Sequence, residues 1–238
     1  MSIFNPVSLA CSKCGTPIPF QAVNSVNADR RPDLRAAIIE GTFQRETCRN
    51  CAAGLRLEPE FVYLDVARQH WILVRPAGRL AEWLELEQAA QGIFDTAFGA
   101  RASSLARKVG ESMRVRATFG WPALQEKLLC SELGLDDMIL ELVKIAVLRT
   151  QDALPLGDTT ECRLIGRTDR DLVLAWLDAA TEETVEIMEV PRSVYDGIAA
   201  DLIAWQAVRA ELAEGPFVDL HRLLVPTAPA GGEVLAAK

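Results

Sequence analysis

Alternation of apolar and polar residues predicts strands in the first third of the chain. Residues 19–26 alternate in this way, which is typical of a strand with one buried face. Residues 55–64 and 70–74 are apolar runs on either side of a short polar turn, and they predict a β-hairpin. We expect the buried face of this hairpin to carry its large apolar side chains, Phe61, Tyr63, Trp71 and Leu73.

Apolar residues spaced three and four positions apart predict four helices. The first has Pro32 in its opening turn and Gly41 after its end, which are residues favoured at those positions. The last is apolar over so broad a face that we expect it to be the central helix of the C-terminal part, forming a helical hairpin with the preceding one. The four predicted helices are 32–41, 80–98, 121–133 and 138–150.

Three short apolar runs separated by polar turns predict a small antiparallel meander. A sheet of this kind buries one face against helices, and residues 193–214 have the spacing of a covering helix. Residues 217–225 predict a last strand, and the Pro-, Ala- and Gly-rich residues 226–238 predict a flexible tail. The predicted strands of the meander are 161–166, 171–178 and 184–190.

Four of the six cysteines form two CxxC pairs. A gap of two residues lets the chain turn so that both sulfurs face one point, and two such turns supply four thiolates in a tetrahedron. A metal held in this way has no open position, so it stabilises the fold and does not activate water. We therefore expect one structural Zn²⁺ bound by Cys11, Cys14, Cys48 and Cys51.

Thiol–disulfide exchange is the alternative use of a CxxC pair. A reactive pair usually opens a helix, whose N-terminus stabilises the thiolate. Here Gly15 and Pro17 follow the first pair and Gly54 follows the second, so neither pair is expected to open a helix. We expect the remaining cysteines, Cys130 and Cys162, to be unreactive buried thiols.

Together these elements predict an α+β fold in three parts. Residues 1–79 form a zinc ribbon with an inserted helix and a β-hairpin. Residues 80–225 contain the helical hairpin, the meander and its covering helix, and residues 226–238 are the tail.

The charge of the chain argues against nucleic acid as a partner. The net charge is −8 and the isoelectric point is about 4.9, so the molecule as a whole repels polyanions. Residues 1–79 hold ten Lys and Arg against seven Asp and Glu, which is too small an excess for a nucleic-acid footprint.

The apolar runs predict a cytoplasmic protein with no membrane partner. No run approaches the roughly 18 residues of a membrane span, and the N-terminus lacks the pattern of a signal peptide. Paired thiols in a reducing compartment bind metal more often than they form disulfides.

The most basic stretch of the chain lies within residues 99–118. It has five basic residues and one acidic residue, Glu111. Two interpretations stay open: the stretch is a surface for an acidic partner, or its charges pair with acidic helices on either side. The basic residues are Arg101, Arg107, Lys108, Arg114 and Arg116.

No catalytic motif is present in the sequence. Its two histidines, His70 and His221, are far apart, and there is no HExxH, GxSxG, P-loop or GxGxxG motif. Acidic residues at 136–137 and 182–189 are interpreted as helix caps and a solvated face. We expect no enzymatic activity.

Beyond the CxxC pairs, several short segments resemble the bacterial CpXC family. The resemblance implies a zinc-binding domain whose ligands are the same four cysteines, and it implies no particular activity. The chain departs from the family pattern at Ser12 and Arg49, where proline is expected, and at Ala52, where glycine is common. The similar segments are 23–27, 32–35, 40–44, 61–65, 124–127 and 134–137.

Three functions are consistent with these features. The first is a non-enzymatic zinc-binding adaptor whose partner is another protein. The second is a nucleic-acid-binding zinc ribbon, and the third is a thiol-based redox protein. Neither a small-molecule substrate nor an oligomeric state follows from the residues. The candidate nucleic-acid contacts are Arg30, Arg31, Arg35, Arg45, Arg49 and Arg56.

Overall fold

The computed structural model describes residues 2–150 and 160–226, which form a mixed α+β structure. A five-stranded sheet and a two-stranded sheet occupy the first 119 residues. Their strands are β1 (Ile3–Ala10), β2 (Pro17–Asn27), β3 (Arg45–Thr47), β4 (Gly54–Arg56), β5 (Phe61–Asp65), β6 (His70–Arg75) and β7 (Arg114–Phe119).

The large sheet has the strand order β1-β2-β5-β6-β7 and mixed strand directions. The pairs β1–β2 and β5–β6 are antiparallel, whereas β2–β5 and β6–β7 are parallel. Parallel neighbours need crossover connections, and these contain the helices of the N-terminal half. The helices are α1 (Pro32–Ile39) after β2, then α2 (Trp83–Phe98) and α3 (Ser104–Gly110) after a 3₁₀ turn at Ala77–Glu82.

Both faces of the β5–β6 hairpin are buried, which corrects the prediction of a hairpin with one buried face. Phe61 and Tyr63 pack against α1 and against α4 (Gly120–Glu132), the helix that follows β7. Trp71 and Leu73 face the opposite side and pack against α2. All four side chains are buried as expected, but helices cover the sheet on both sides.

The strand predicted at 55–64 is two strands. Pro59 lies between them and has no amide hydrogen to donate to a sheet ladder, so pairing stops there. The first piece, β4, pairs with β3, and only the second piece, β5, pairs with β6 as predicted.

The C-terminal half contains the predicted meander. Its strands are β8 (Thr160–Arg167), β9 (Asp171–Asp178) and β10 (Thr184–Pro191), in the order β10-β9-β8. Helix α5 (Asp137–Thr150) packs on one face of the meander, and its Leu140, Leu142 and Val143 are fully buried. The expectation of a central helix is confirmed, but its buried surface also contains Asp137, Glu141 and Lys144.

Two predictions for the C-terminal residues are wrong. The covering helix at 193–214 is two helices, α6 (Arg192–Ala200) and α7 (Gln206–Leu212). Asp201 ends the first in a non-helical conformation, and its side chain accepts the backbone N–H of Ala204. The predicted strand at 217–225 contains a short helix, α8 (His221–Leu224).

Carboxylates replace strand pairing in the 217–225 segment. The backbone N–H of Phe217 donates to Glu87 at 2.8 Å, and that of Leu220 donates to Glu141 at 2.9 Å. The apolar pattern was therefore correct about burial and wrong about conformation, because distant side chains satisfy the backbone.

Two further predictions concern the C-terminal tail and the division of the chain. The tail predicted at 226–238 lies outside the described residues, apart from Pro226. The large sheet takes strands from both sides of residue 79, and the division of the chain at that position stays a prediction. Among residues 2–150 and 160–226, no helix is both long enough and apolar enough to cross a membrane.

His70 lies buried at the start of β6, beside β7. Its Nδ1 has no hydrogen-bond partner among the described residues. Burial, together with the positive charge of Arg114, lowers the pKa of His70 from 6.5 to about 4. The imidazole is therefore neutral in the folded protein at pH 7.

We expect His70 to make the protein less stable as the pH falls from 6.5 to 4. The unfolded chain binds the proton first in this window, so acidification favours unfolding by at most about 3 kcal/mol. Above pH 6.5 the contribution is constant. Urea unfolding of the parent and of His70→Gln at several pH values measures this contribution. The free energy of unfolding of the parent should decrease relative to that of the variant as the pH falls. A pH-independent difference would contradict the assignment.

Candidate metal centre

The first CxxC pair occupies the turn between β1 and β2. The backbone N–H of Cys11 donates to the carbonyl of Thr16 at 2.9 Å, and that of Gly15 donates back to the carbonyl of Cys11 at 2.8 Å. These bonds close a tight loop around Cys14. The loop needs a left-handed residue after the second cysteine, and Gly15 has φ of +71°.

The second CxxC pair occupies the turn between β3 and β4 and repeats the same geometry. The N–H of Cys48 donates to the carbonyl of Ala53 at 2.8 Å, and that of Ala52 donates to the carbonyl of Cys48 at 2.9 Å. Ala52 takes the place of the glycine and has φ of +58°. An L-residue in this conformation is strained by about 1–2 kcal/mol.

The structure brings all four predicted cysteines together. Sγ of Cys11 lies 3.6 Å from Sγ of Cys51, and Sγ of Cys14 lies 3.6 Å from Sγ of Cys48. A tetrahedron of sulfurs around an ion at about 2.3 Å has S···S edges of about 3.8 Å. Since the four sulfurs all lie within 4.8 Å of one another, the cluster is compatible with one metal ion at its centre.

The cysteine cluster is buried on one side and open on the other. Cys11 and Cys48 are 4% and 2% exposed, and they pack with Ile18 and Phe20 of β2. Cys14 is on the exposed side. Water is therefore excluded from the inner half of the cluster, where the first cysteine of each pair lies.

Polar neighbours favour the thiolate form of Cys14. The Thr16 hydroxyl lies 3.3 Å from its Sγ, and this hydrogen bond, with one from the Asn50 side chain, lowers the pKa of Cys14 to about 5. The thiolate is the form that binds metal. Sequence analysis missed Thr16 and Asn50, because their only signal is proximity to a cysteine in each turn.

A second group of acidic side chains lies inside the C-terminal half. Carboxylate oxygens of Glu126, Glu141 and Asp219 fall within 4.8 Å of one another, and all three residues are buried. Lys144 Nζ lies 2.6 Å from Glu126 and 3.0 Å from Glu141, and Arg163 pairs with Glu126 and Asp219.

These carboxylates are paired with protein cations. Burial alone would lower the pKa of Lys144, but the carboxylates of Glu126 and Glu141 raise it, so the ammonium is charged. Lys144 and Arg163 therefore supply positive charge to all three carboxylates. Sequence analysis missed this network, because Glu126 and Glu141 resemble ordinary polar helix positions.

Two of the five basic residues in the stretch 99–118 form ion pairs, and the other three do not among the described residues. Arg116 Nε donates to the Asp137 carboxylate at 2.6 Å, and Arg114 lies 3.2 Å from the same carboxylate. Burial acts to raise the pKa of Asp137, but Lys127 and Arg116 outweigh it and hold the pKa well below its usual value. No carboxylate in the described part of the chain forms an ion pair with the other members, Arg101, Arg107 and Lys108.

The two remaining cysteines are buried, as predicted. Cys130 is 1% exposed and Cys162 is 4% exposed. Burial raises the pKa of both thiols, that of Cys162 to about 12, which keeps them protonated and unreactive.

The sequence comparisons agree with this geometry. The family model described as CpXC protein matches residues 9–144, more than half of the chain and both CxxC pairs. The chain belongs to the CpXC family. The match ends within α5, before the meander begins. No curated protein and no solved structure matches the chain.

We expect the two turns of the CpXC domain to respond oppositely to exchange of glycine and alanine. Ala52→Gly should raise the free energy of unfolding by roughly 0.5 kcal/mol, because relief of left-handed strain exceeds the added entropy of the unfolded chain. Gly15→Ala should lower it by about 1 kcal/mol. An added Cβ at Gly15 meets nothing within 4 Å, so the effect is conformational.

Ala53→Gly is the matched control for these variants, since Ala53 lies next to the strained position and does not have a positive φ. It should lower the free energy of unfolding by about 0.5–1 kcal/mol. Urea denaturation of the purified proteins measures all three effects. Equal destabilisation by Ala52→Gly and Ala53→Gly would contradict the strain at residue 52.

Removal of the buried ammonium should be strongly destabilising. Lys144→Met leaves Glu126 and Glu141 short of a cation, and such unpaired buried charges cost about 3–5 kcal/mol. Lys108→Met, at an exposed lysine without an ion pair to any described residue, should stay within about 0.5 kcal/mol of the parent. Urea midpoints compare the two variants, and similar midpoints would show that the buried pairs are energetically unimportant.

Proposed function

We propose that this CpXC protein is a non-enzymatic zinc-binding protein that presents a surface to another protein. One structural Zn²⁺ is held by Cys11, Cys14, Cys48 and Cys51. The observation that carries the proposal is the convergence of four sulfurs from two turns of the same shape. Two facing hairpin turns that share one ion are the geometry of a zinc ribbon.

The donor set favours zinc. Thiolates are soft ligands, and a tetrahedral S₄ site selects zinc or iron over hard cations such as magnesium and calcium. A zinc ion with four cysteine ligands has no position left for water or substrate, so its contribution is to folding. This supports a structural role. A reducing cytoplasm would keep the four thiols available for the ion.

Contacts outside the cysteine cluster support the proposal that the cysteine hairpin fixes the position of an interaction surface. Arg45 of β3 and Arg56 of β4 both pair with Glu182, in the turn between β9 and β10. The Arg56 guanidinium also stacks 4.4 Å from the ring centroid of Trp121 on α4. The hairpin that carries Cys48 and Cys51 is therefore connected to the C-terminal meander.

Nucleic-acid binding is the weaker alternative. Of its candidate arginines, Arg31 pairs with Asp33, and Arg35 pairs with Asp65 and Glu132. Arg45 and Arg56 share Glu182, so four of the six arginines already have carboxylate partners. Phosphate contacts would have to displace those partners in a chain of net charge −8.

We expect the purified protein to retain one zinc ion per chain. Cys11→Ser and Cys48→Ser should each abolish stoichiometric binding, because each removes a ligand from a different turn. Cys162→Ser is the matched control: it removes a buried thiol outside the cluster, and the zinc should remain. Native mass spectrometry combined with elemental analysis measures the ion. Iron in its place, or reactive thiols without metal, would refute structural zinc.

A further inference from the structure

The outer edge of β10 has no strand partner in the described part of the chain. Within that part the strand pairs with β9 on one side only, since it ends the meander. Val185 and Ile187 are 55% and 57% exposed along it. An edge strand with exposed apolar side chains offers unpaired backbone groups to another extended chain.

The same edge carries uncompensated negative charge. Glu183, Glu186 and Glu189 are exposed, and none of them forms an ion pair with a basic side chain in the described part of the chain. Their neighbour Glu182 is held by Arg45 and Arg56 of the cysteine hairpin. The exposed glutamates therefore give the free edge of β10 a negative charge. The turn before the strand is held in place by the two arginines.

We propose that β10 docks an extended segment of another protein in which Lys or Arg residues alternate with apolar residues. The proposal rests on the proposed function as an interaction protein and names its surface. Backbone hydrogen bonds to the open edge would supply affinity, and the glutamates would select positive charge on the partner. A second copy of β10 is a poorer partner, because it would bring two rows of glutamates together.

Synthetic ten-residue peptides with blocked ends test the chemistry of the partner. One alternates Val with Lys, a second alternates Val with Glu, and a third is the Lys peptide with every second Val replaced by Pro. Fluorescence anisotropy at low and high salt should show binding of the first peptide alone, weakened by salt. The Pro peptide keeps the charge but cannot complete a strand ladder.

Hydrogen exchange locates the bound peptide. Backbone amides of β10 should exchange at least about tenfold more slowly with the Lys peptide, while those of the β1 edge stay unchanged. Size-exclusion chromatography of the free protein should show no dimer that depends on β10. Protection elsewhere, equal binding of the Pro peptide, or a β10-dependent dimer would each overturn the proposal.

Two double variants with the same change in net charge distinguish the effect of charge at the β10 edge from the effect of the overall charge of the protein. Glu186→Lys/Glu189→Lys reverses the docking edge, and Glu85→Lys/Glu211→Lys reverses two exposed helix glutamates without ion pairs in the described structure. The first should weaken binding of the Lys peptide at least about tenfold, and the second at most about threefold. Equal losses would refute docking at β10.

Zinc content, measured on the same samples, separates the two proposals. If zinc is stoichiometric and the Lys peptide does not bind, docking at β10 fails and the structural zinc stands. If zinc is absent but the peptide binds at β10, the docking surface stands and the proposed metal site fails.

Discussion

The constraint on which the N-terminal half depends is that two short turns, separated by 33 residues, must face each other closely enough for their sulfurs to meet. Other contacts also join them. The Gln44 side chain donates to the carbonyl of Gln21 at 2.8 Å and so connects β2 to the loop before β3. A small apolar cluster around Ile18 and Phe20 packs beneath the cysteines. A metal ion shared by the four thiols would add to these contacts between the turns.

The hairpin that carries Cys48 and Cys51 also contacts residues far from the cysteines. The hairpin that contains the second turn ends near Leu57, whose carbonyl accepts the indole N–H of Trp121 at 2.9 Å. Trp121 begins the helix that carries Glu126 into the buried network with Lys144 and Arg163. The two halves of the chain are thus joined by packing at the start of α4 and by the ion pairs of Glu126 further along the same helix. The position of the cysteine hairpin and the position of the meander are connected through the same helix.

Local patterns in the sequence predicted the cysteine cluster, the first helix and the meander well. The strand Asp171–Asp178 has the predicted bounds, because one apolar run lies between two clear turns. Strand β1 was not predicted, since it is exposed along most of its length and contains Pro6. Strand β7 was not predicted either, because its arginines suggested a surface, and their partner Asp137 lies 21 residues away from Arg116.

The largest omission was the buried charge network. Glu126 lies between Gln125 and Lys127 on its helix, and Lys144 lies between Val143 and Ile145 on the next. A charged side chain on a helix is normally solvated, so neither position suggested a buried ion pair. Their burial depends on Arg163 and Asp219, which are distant in sequence. Periodicity can place a charge on a helix, but only the folded chain shows that its partner is also inside.

Zinc K-edge X-ray absorption of the purified full-length protein tests the central claim most directly. The account predicts a single zinc environment with four sulfur neighbours at about 2.3 Å and no oxygen or nitrogen ligand. A zinc ion with fewer than four sulfurs, or with a water molecule in its shell, would contradict the closed site at the centre of the account.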